Sequence, residues 1–426
     1  SRGLGDVYKR QVYIVKKEED IMKKFNKFLS VAVASAMVMA MAGCGNTDNG
    51  SAATGTNAAT ESAAASDSAA SGSVFKIGGI GPTTGGAAVY GLAVQHGAEI
   101  AVEEINAAGG INGYQVEFKF QDDEADAEKS VNAYNALKDW GAQIIDGSTT
   151  SGACIAVTDK TKEDNMFQIT PSGSAVECVQ YDNNFRVCFS NPNQGLASAQ
   201  YIGENGLAEK IAVIYDSSDV YSSGIYEKFA KEAENQPFEI VAAEAFTADN
   251  KTDFSVQLQK AKDAGADMVF LPIYYQESAL ILTQAAAMGY APKWFSCDGM
   301  DGILGGVDNF DVSLTEGVML LTPFAADATD DLTQSFVTKY KEKYGDTPNQ
   351  FAADSYDAIY VIKAAIEKSG VTPDMSVSDI CDGMKAAMTE ITVDGLTGSG
   401  MTWTADGEAN KAPKAVVIEN GAYKAM

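Results

Sequence analysis

Two short stretches hold the residues whose types and spacing could do chemistry. In Gly141-Ala142-Gln143-Ile144-Ile145-Asp146-Gly147-Ser148-Thr149-Thr150-Ser151 a brief apolar run ends in small hydroxyl side chains. About twenty residues on, Phe167-Gln168-Ile169-Thr170-Pro171-Ser172-Gly173-Ser174 repeats the pattern. Each reads as a buried strand that delivers a polar loop to the carboxyl edge of a sheet. Bare backbone N–H groups and hydroxyls, with no cation among them, suit a ligand carboxylate held by neutral donors. The pattern describes binding rather than a reaction. The single histidine, His96, sits inside an amphipathic stretch and serves neither loop, so no activated nucleophile or acid–base pair is visible and an enzyme is not expected. The cysteines lack the tight spacings of a metal knuckle, and neither a metal nor a cofactor is implied. One cysteine pair could be bridged outside the cell; buried free thiols fit equally well.

The elements that must position these loops alternate regularly. Val74–Ile80 is predicted as a strand, Tyr90–Ala107 as a helix, Tyr114–Phe120 as a strand and Ala127–Trp140 as a helix. A strand at Phe185–Phe189 follows the two hydroxyl loops. The order then repeats with strand Lys210–Tyr215, helix Tyr221–Asn235, strand Phe238–Phe246, helix Asp253–Ala264 and strand Asp267–Ile273. Gly141-Ala142-Gln143-Ile144-Ile145 in the first half corresponds to Gly265-Ala266-Asp267-Met268-Val269 in the second, each joining a helix to a strand. Such alternation predicts an α/β protein with parallel sheets covered on both faces. Two like lobes with a cleft between them, and ligand at the carboxyl ends of both sheets, are the expected architecture.

Composition bounds the partners. A formal net charge of −27 excludes nucleic acid, because a phosphate backbone needs a basic face. Residues 1–21 have no place in the fold and read as an upstream or non-native segment. Met22 opens a basic run, Lys23-Lys24-Phe25-Asn26-Lys27, followed by an apolar segment shorter than the roughly 18–20 residues a spanning helix needs, so residues 22–43 read as a signal peptide. Met41-Ala42-Gly43-Cys44 resembles a lipobox, which implies that Cys44 is lipidated, becomes the mature N-terminus and holds the protein outside the cytoplasm on the membrane. Residues 44–73, almost wholly small and polar, read as a flexible tether.

Longer motifs carry a resemblance. Gly78-Gly79-Ile80-Gly81-Pro82-Thr83-Thr84-Gly85, Tyr90-Gly91, Glu104-Ile105-Asn106-Ala107-Ala108-Gly109-Gly110-Ile111-Asn112-Gly113 and Gln121-Asp122-Asp123 resemble the opening of the leucine/isoleucine/valine-binding proteins of ABC importers. The likeness continues through Ile169-Thr170-Pro171, Ile214-Tyr215-Asp216, Asp253-Phe254 and Tyr356-Asp357-Ala358. It implies the type I periplasmic-binding fold: two Rossmann-like lobes joined by three crossings, closing on a ligand by hinge motion. The crossings are expected near Phe189–Asn191, Thr322–Phe324 and Leu396–Met401, giving a first lobe of 74–189 with 325–396 and a second of 190–324 with 397–426.

The resemblance also implies a ligand set. Ser151 falls where a serine holds an amino acid's carboxylate, with Ser172 and Ser174 completing the grip and Thr149 and Thr150 on the rim beside it. Asp298 falls where a carboxylate, commonly Glu, pairs with the α-ammonium. Tyr274 lies where a tyrosine of the second lobe reaches the polar end of the ligand, and Tyr90, Tyr221 and Phe351 wall the side-chain pocket. A zwitterion does need neutral donors at one end and an anion at the other. The implied function is capture of a branched-chain amino acid by a monomeric lipoprotein that hands it to an ABC permease and its ATPase subunits. Pro272-Ile273 precede Tyr274 where smaller residues are common in the family, and Tyr275 follows, which is expected to narrow or reshape that side of the cleft, so a larger or more polar amino acid, or an amide, remains open; a ligand-sensing role does too, since the fold hosts both transport and sensing. No cysteine stands upstream of Gly141 in the folded part, so the disulfide of some relatives cannot form in the same way.

Overall fold

The computed structural model of the protein describes residues 72–426. The expected leader, Cys44 and nearly all of the tether lie outside the described residues. The chain begins with β1 (Phe75–Gly81), α1 (Ala88–Ala107), β2 (Val116–Asp122), α2 (Ala127–Trp140), β3 (Ile144–Asp146), α3 (Ser151–Glu163), β4 (Phe167–Thr170) and β5 (Asn184–Arg186). These strands form a five-stranded parallel sheet in the order β2-β1-β3-β4-β5. Next come α4 (Asn191–Glu204), β6 (Lys210–Asp216), α5 (Val220–Ala233), β7 (Glu239–Phe246), α6 (Ser255–Asp263), β8 (Met268–Leu271), α7 (Tyr275–Ala287), β9 (Lys293–Ser296) and β10 (Met319–Thr322). Helices α8 (Asp331–Tyr344), α9 (Gln350–Ser369) and α10 (Val377–Met388) return to the first sheet, and β11 (Lys414–Glu419) and β12 (Ala422–Ala425) close the second.

The period-two pattern explains why both sheets are buried on both faces. In β6, Ile211 and Val213 join one apolar cluster while Ala212 and Ile214 join the other; in β8, Met268 and Phe270 oppose Val269 and Leu271. The first sheet does the same with Ile144 against Ile145. Strands covered by helices on two sides must be apolar throughout, which is why these runs do not alternate with polar residues. The matching junctions share a physical basis as well: Gly141 and Gly265 both end a helix with positive φ, 93° and 72°, a left-handed turn that glycine adopts without steric cost.

Two expectations need correction. The second sheet is not wholly parallel, because β11 pairs antiparallel with β10, and β12 antiparallel with β11. The third crossing also lies later than Leu396–Met401. Asp357 of α9 accepts the Leu396 and Thr397 amides at 2.8 and 2.9 Å, the Trp403 indole donates to the Arg186 carbonyl at 2.8 Å, and the Arg186 amide donates to the Gly407 carbonyl at 3.0 Å. Residues through Glu408 therefore stay on the first sheet, and the chain crosses just before Lys414. Lys411 in this crossing is buried and paired with Asp354 of α9 at 2.6 Å.

Candidate ligand-binding site

The hydroxyl loops meet where the carboxyl ends of β3 and β4 open. Thr170 ties them together: its hydroxyl donates to the Ser148 carbonyl at 2.7 Å and accepts the Gly173 amide at 2.7 Å. The Ser151 Oγ accepts two amides, from Ser174 at 3.2 Å and Ala175 at 3.1 Å. With its acceptor capacity so engaged, the Ser151 hydroxyl is left as a donor. Ser151 also opens α3, whose N-cap Thr150 makes no side-chain capping bond; the Thr150 hydroxyl is buried without a partner. The start of this thirteen-residue helix thus presents uncapped N–H groups and the positive end of its dipole, a setting that favours an anion.

Tyr90, Thr149, Thr150, Ser151, Ser172, Tyr221, Tyr274, Asp298, Gly299 and Phe351 line one cavity. All but Gly299 were expected from the sequence. Ser174 is not among them. Its amide donates to the Ser151 Oγ, and its hydroxyl, like that of Thr150, is buried without a partner.

Opposite the hydroxyl loops stands Asp298, 4 % exposed, just after β9. One of its carboxylate oxygens accepts the Tyr221 hydroxyl at 2.6 Å and the other the Gln194 side-chain amide at 3.0 Å. Burial pushes this carboxyl up to about 7, the charge of Asp354 adds to the rise, and the Tyr221, Gly299 and Gln194 hydrogen bonds partly offset it. A cation arriving in the cavity would favour the ionised form. Burial holds the phenols of Tyr90, Tyr221 and Tyr274 well above their ordinary range, so all three are neutral donors near pH 7.

Aromatic rings close the rest. Tyr221 stacks on Tyr274 with centroids 5.1 Å apart, Tyr90 meets Tyr274 edge-on at 5.4 Å, and Phe351 lies 4.4 Å from Tyr90. Tyr90, carried by α1 over the first sheet, reaches the other side: its hydroxyl donates to the Gly299 carbonyl and accepts the Tyr275 amide at 3.2 Å. Tyr275 therefore does not narrow the cavity itself but backs Tyr90, with centroids 5.1 Å apart. His96 lies elsewhere, stacked on Tyr344 at 3.6 Å and bonded to the Tyr340 hydroxyl. Among the described residues all five cysteines are buried and unbridged, and no cluster of His, Cys, Asp or Glu could hold a metal.

Sequence reasoning missed Gln194 and Gln350. The Gln194 side chain spans the Asp298 backbone and carboxylate, and Gln350, first residue of α9, donates to the Asp298 carbonyl at 3.0 Å while its amide donates to Asp301 at 3.0 Å. A lone glutamine in a helix's first turn carries no periodic or motif signal.

Two sheets of this topology, with the cavity where their strands' carboxyl ends open, define the architecture of a type I periplasmic binding protein. Residues 74–422 match the periplasmic binding protein family, and the chain belongs to it. It is 30 % identical over 300 residues to Leu/Ile/Val-binding protein homolog 3 of Brucella melitensis, covering 70 % of this chain and 80 % of that one. It is 30 % identical over 302 residues, with coverage of 69 % and 78 %, to a leucine-, isoleucine-, valine-, threonine- and alanine-binding protein of Pseudomonas aeruginosa. Among solved structures, the branched-chain amino acid transporter substrate-binding protein LivJ of Streptococcus pneumoniae, in complex with isoleucine, superposes with a TM-score of 0.75 at 28 % identity, covering 83 % of this chain and 98 % of that one.

Proposed function

We propose that the protein captures a free L-amino acid with an aliphatic side chain, of the leucine, isoleucine or valine type, and delivers it unaltered to an ABC importer. The observation that carries this reading is the polarity of the cavity. Uncapped N–H groups and the Ser151, Thr150 and Ser172 hydroxyls face a buried carboxylate, Asp298, with aromatic rings between. Such a cavity complements a zwitterion with an apolar side chain. In this reading Ser151, Ser172 and the start of α3 take the ligand carboxylate, Asp298 its ammonium, and Tyr90, Tyr221, Tyr274 and Phe351 its side chain. Thr149 stands on the rim, and Ser174 acts only through Ser151. The lobe division expected from the sequence, with its third crossing moved to just before Lys414, supplies the hinge. Calorimetric titration against the common L-amino acids and their amides tests the assignment: saturable binding of leucine, isoleucine or valine, with amides much weaker, is expected. Amides binding as well as acids would overturn it.

The protein acts as a monomer tied to the outer face of the membrane by a lipid on Cys44, the permease and its ATPase being its partners. Mass spectrometry of the mature N-terminus is expected to find an acylated cysteine, and Cys44→Ala to release soluble, ligand-competent protein. An unacylated wild-type N-terminus would remove the anchor from this reading.

A further inference from the structure

Gln194 is buried, lies in the first turn of α4 just beyond the first crossing, and touches Asp298 twice. Its amide nitrogen donates to the carboxylate oxygen at 3.0 Å, and its carbonyl oxygen accepts the Asp298 amide at 3.4 Å. One planar side chain therefore fixes both the backbone and the carboxylate of the residue to which the ligand ammonium is assigned. We propose that Gln194 is a positioning residue for ligand binding: its hydrogen bond favours the ionised form of the Asp298 carboxyl, and its double contact keeps that group aimed into the cavity that receives the ligand. The inference rests on the amino-acid reading above.

The reason is chemical. A buried carboxylate stays charged only when hydrogen-bond donors replace the water it has lost. Asp298 has two side-chain donors, the Tyr221 phenol at 2.6 Å and the Gln194 amide. The Tyr221 hydroxyl is itself supported by the Gly299 amide at 2.9 Å, whereas Gln194 comes from the helix that follows the crossing. The titratable and charged groups facing Asp298 are Tyr221 and Tyr274 from the second lobe, Cys297 beside it, Cys188 beyond β5, and Asp354 from α9, whose charge Lys411 balances at 2.6 Å. Of these only Asp354 raises the cost of a charge on Asp298, and its ion pair with Lys411 does not involve Gln194. Removing the Gln194 donor therefore acts on Asp298 itself.

Because ammonium binding needs the ionised form and burial places the Asp298 titration near 7, wild-type affinity for leucine falls below about pH 7, approaching tenfold per unit. In Gln194→Leu the carboxyl loses a donor and titrates higher. Affinity at pH 7 is expected to drop roughly ten- to a hundredfold, and a large part of that loss is recovered at pH 8.5, where the wild type gains little. Gln194→Glu, which keeps the shape but sets a like charge against Asp298, should move the profile further in the same direction. A purely structural defect would weaken binding equally at every pH. The Asp298 titration, followed by carbon NMR of labelled aspartate in the ligand-free protein, supplies a readout that does not depend on which amino acid binds. An upward shift of its midpoint in Gln194→Leu supports the inference even if the wild type prefers another ligand. An unmoved midpoint, or a loss of affinity uniform with pH, overturns it while leaving the amino-acid reading intact.

Discussion

Replacing Asp298 with Asn should abolish high-affinity binding while leaving the free protein folded and, above pH 7, at least as stable as the wild type. The two halves of that expectation have one cause. The wild-type carboxyl titrates near 7 instead of near 4 because it is buried, so folding disfavours its ionised form. A group whose folded pKa is raised contributes stability that is fully present below its unfolded pKa and lost as the pH rises through its folded one. Between about pH 4 and pH 7 the free wild type therefore loses stability on account of Asp298, and Asn, with no charge to bury, is exempt. Asn keeps the Tyr221 contact, since its carbonyl accepts the phenol where Asp298 now does, while its NH2 comes to face the Gln194 amide nitrogen, a meeting of two donors that offsets part of the gain. Ligand reverses the balance. A buried ammonium facing Asn instead of a carboxylate is an uncompensated charge, and breaking one side of a buried pair costs about 3–5 kcal/mol, or a hundredfold to several thousandfold in affinity. In a thermal melt at pH 8, saturating leucine should raise the wild-type Tm and leave Asp298→Asn nearly unmoved, while the two ligand-free midpoints coincide or favour the variant. A variant that keeps its ligand-induced shift would remove Asp298 from the site.

How much of this was legible in the sequence depends on how local the signal is. The loops at Gly147–Ser151 and Pro171–Ser174 could be read directly, because a short apolar run that ends in hydroxyls has few uses other than a buried strand opening on a polar edge. The junction glycines Gly141 and Gly265 could be read for the same reason: a left-handed helix stop is a one-residue requirement. Asp298, Tyr274 and Phe351 were reached only through resemblance, since an acid before a glycine or an aromatic opening a helix is ordinary by itself. The late third crossing was hidden, because what holds residues through Glu408 to the first sheet is contact between Trp403 and Arg186, more than two hundred residues apart in the chain. The antiparallel β11 and β12 were hidden too, being short strands at the chain's end without a helix between them. Ser174 shows a finer limit. Whether its amide points at the cavity or at a side chain of its own protein is decided at the scale of one hydrogen bond, and that amide donates to Ser151.

That hydrogen bond also governs the expected result at the opposite end of the cavity. Ser151→Ala removes the hydroxyl assigned to the ligand carboxylate, and hydrogen bonds to a charged group contribute roughly 1.5–3 kcal/mol, so affinity for leucine should fall about ten- to a hundredfold. The same change strips the Ser174 and Ala175 amides of their acceptor, leaving two buried N–H groups unpaired, so the ligand-free protein should melt lower as well. A loss of affinity by itself would therefore not separate a direct contact from a loosened loop. The separation comes from the ligand side. Leucine amide lacks the carboxylate and should bind the wild type much more weakly than leucine does. If Ser151 donates to that carboxylate, the penalty for amidation shrinks in Ser151→Ala, because a contact already deleted from the protein cannot be deleted again from the ligand. If Ser151 only props the loop, the two losses add, since changes that share no contact are independent. Calorimetry on the four pairings of wild type and Ser151→Ala with leucine and its amide gives the coupling directly. Additivity within about 0.5 kcal/mol would take Ser151 out of the carboxylate grip and leave that task to Thr150, Ser172 and the amides that open α3.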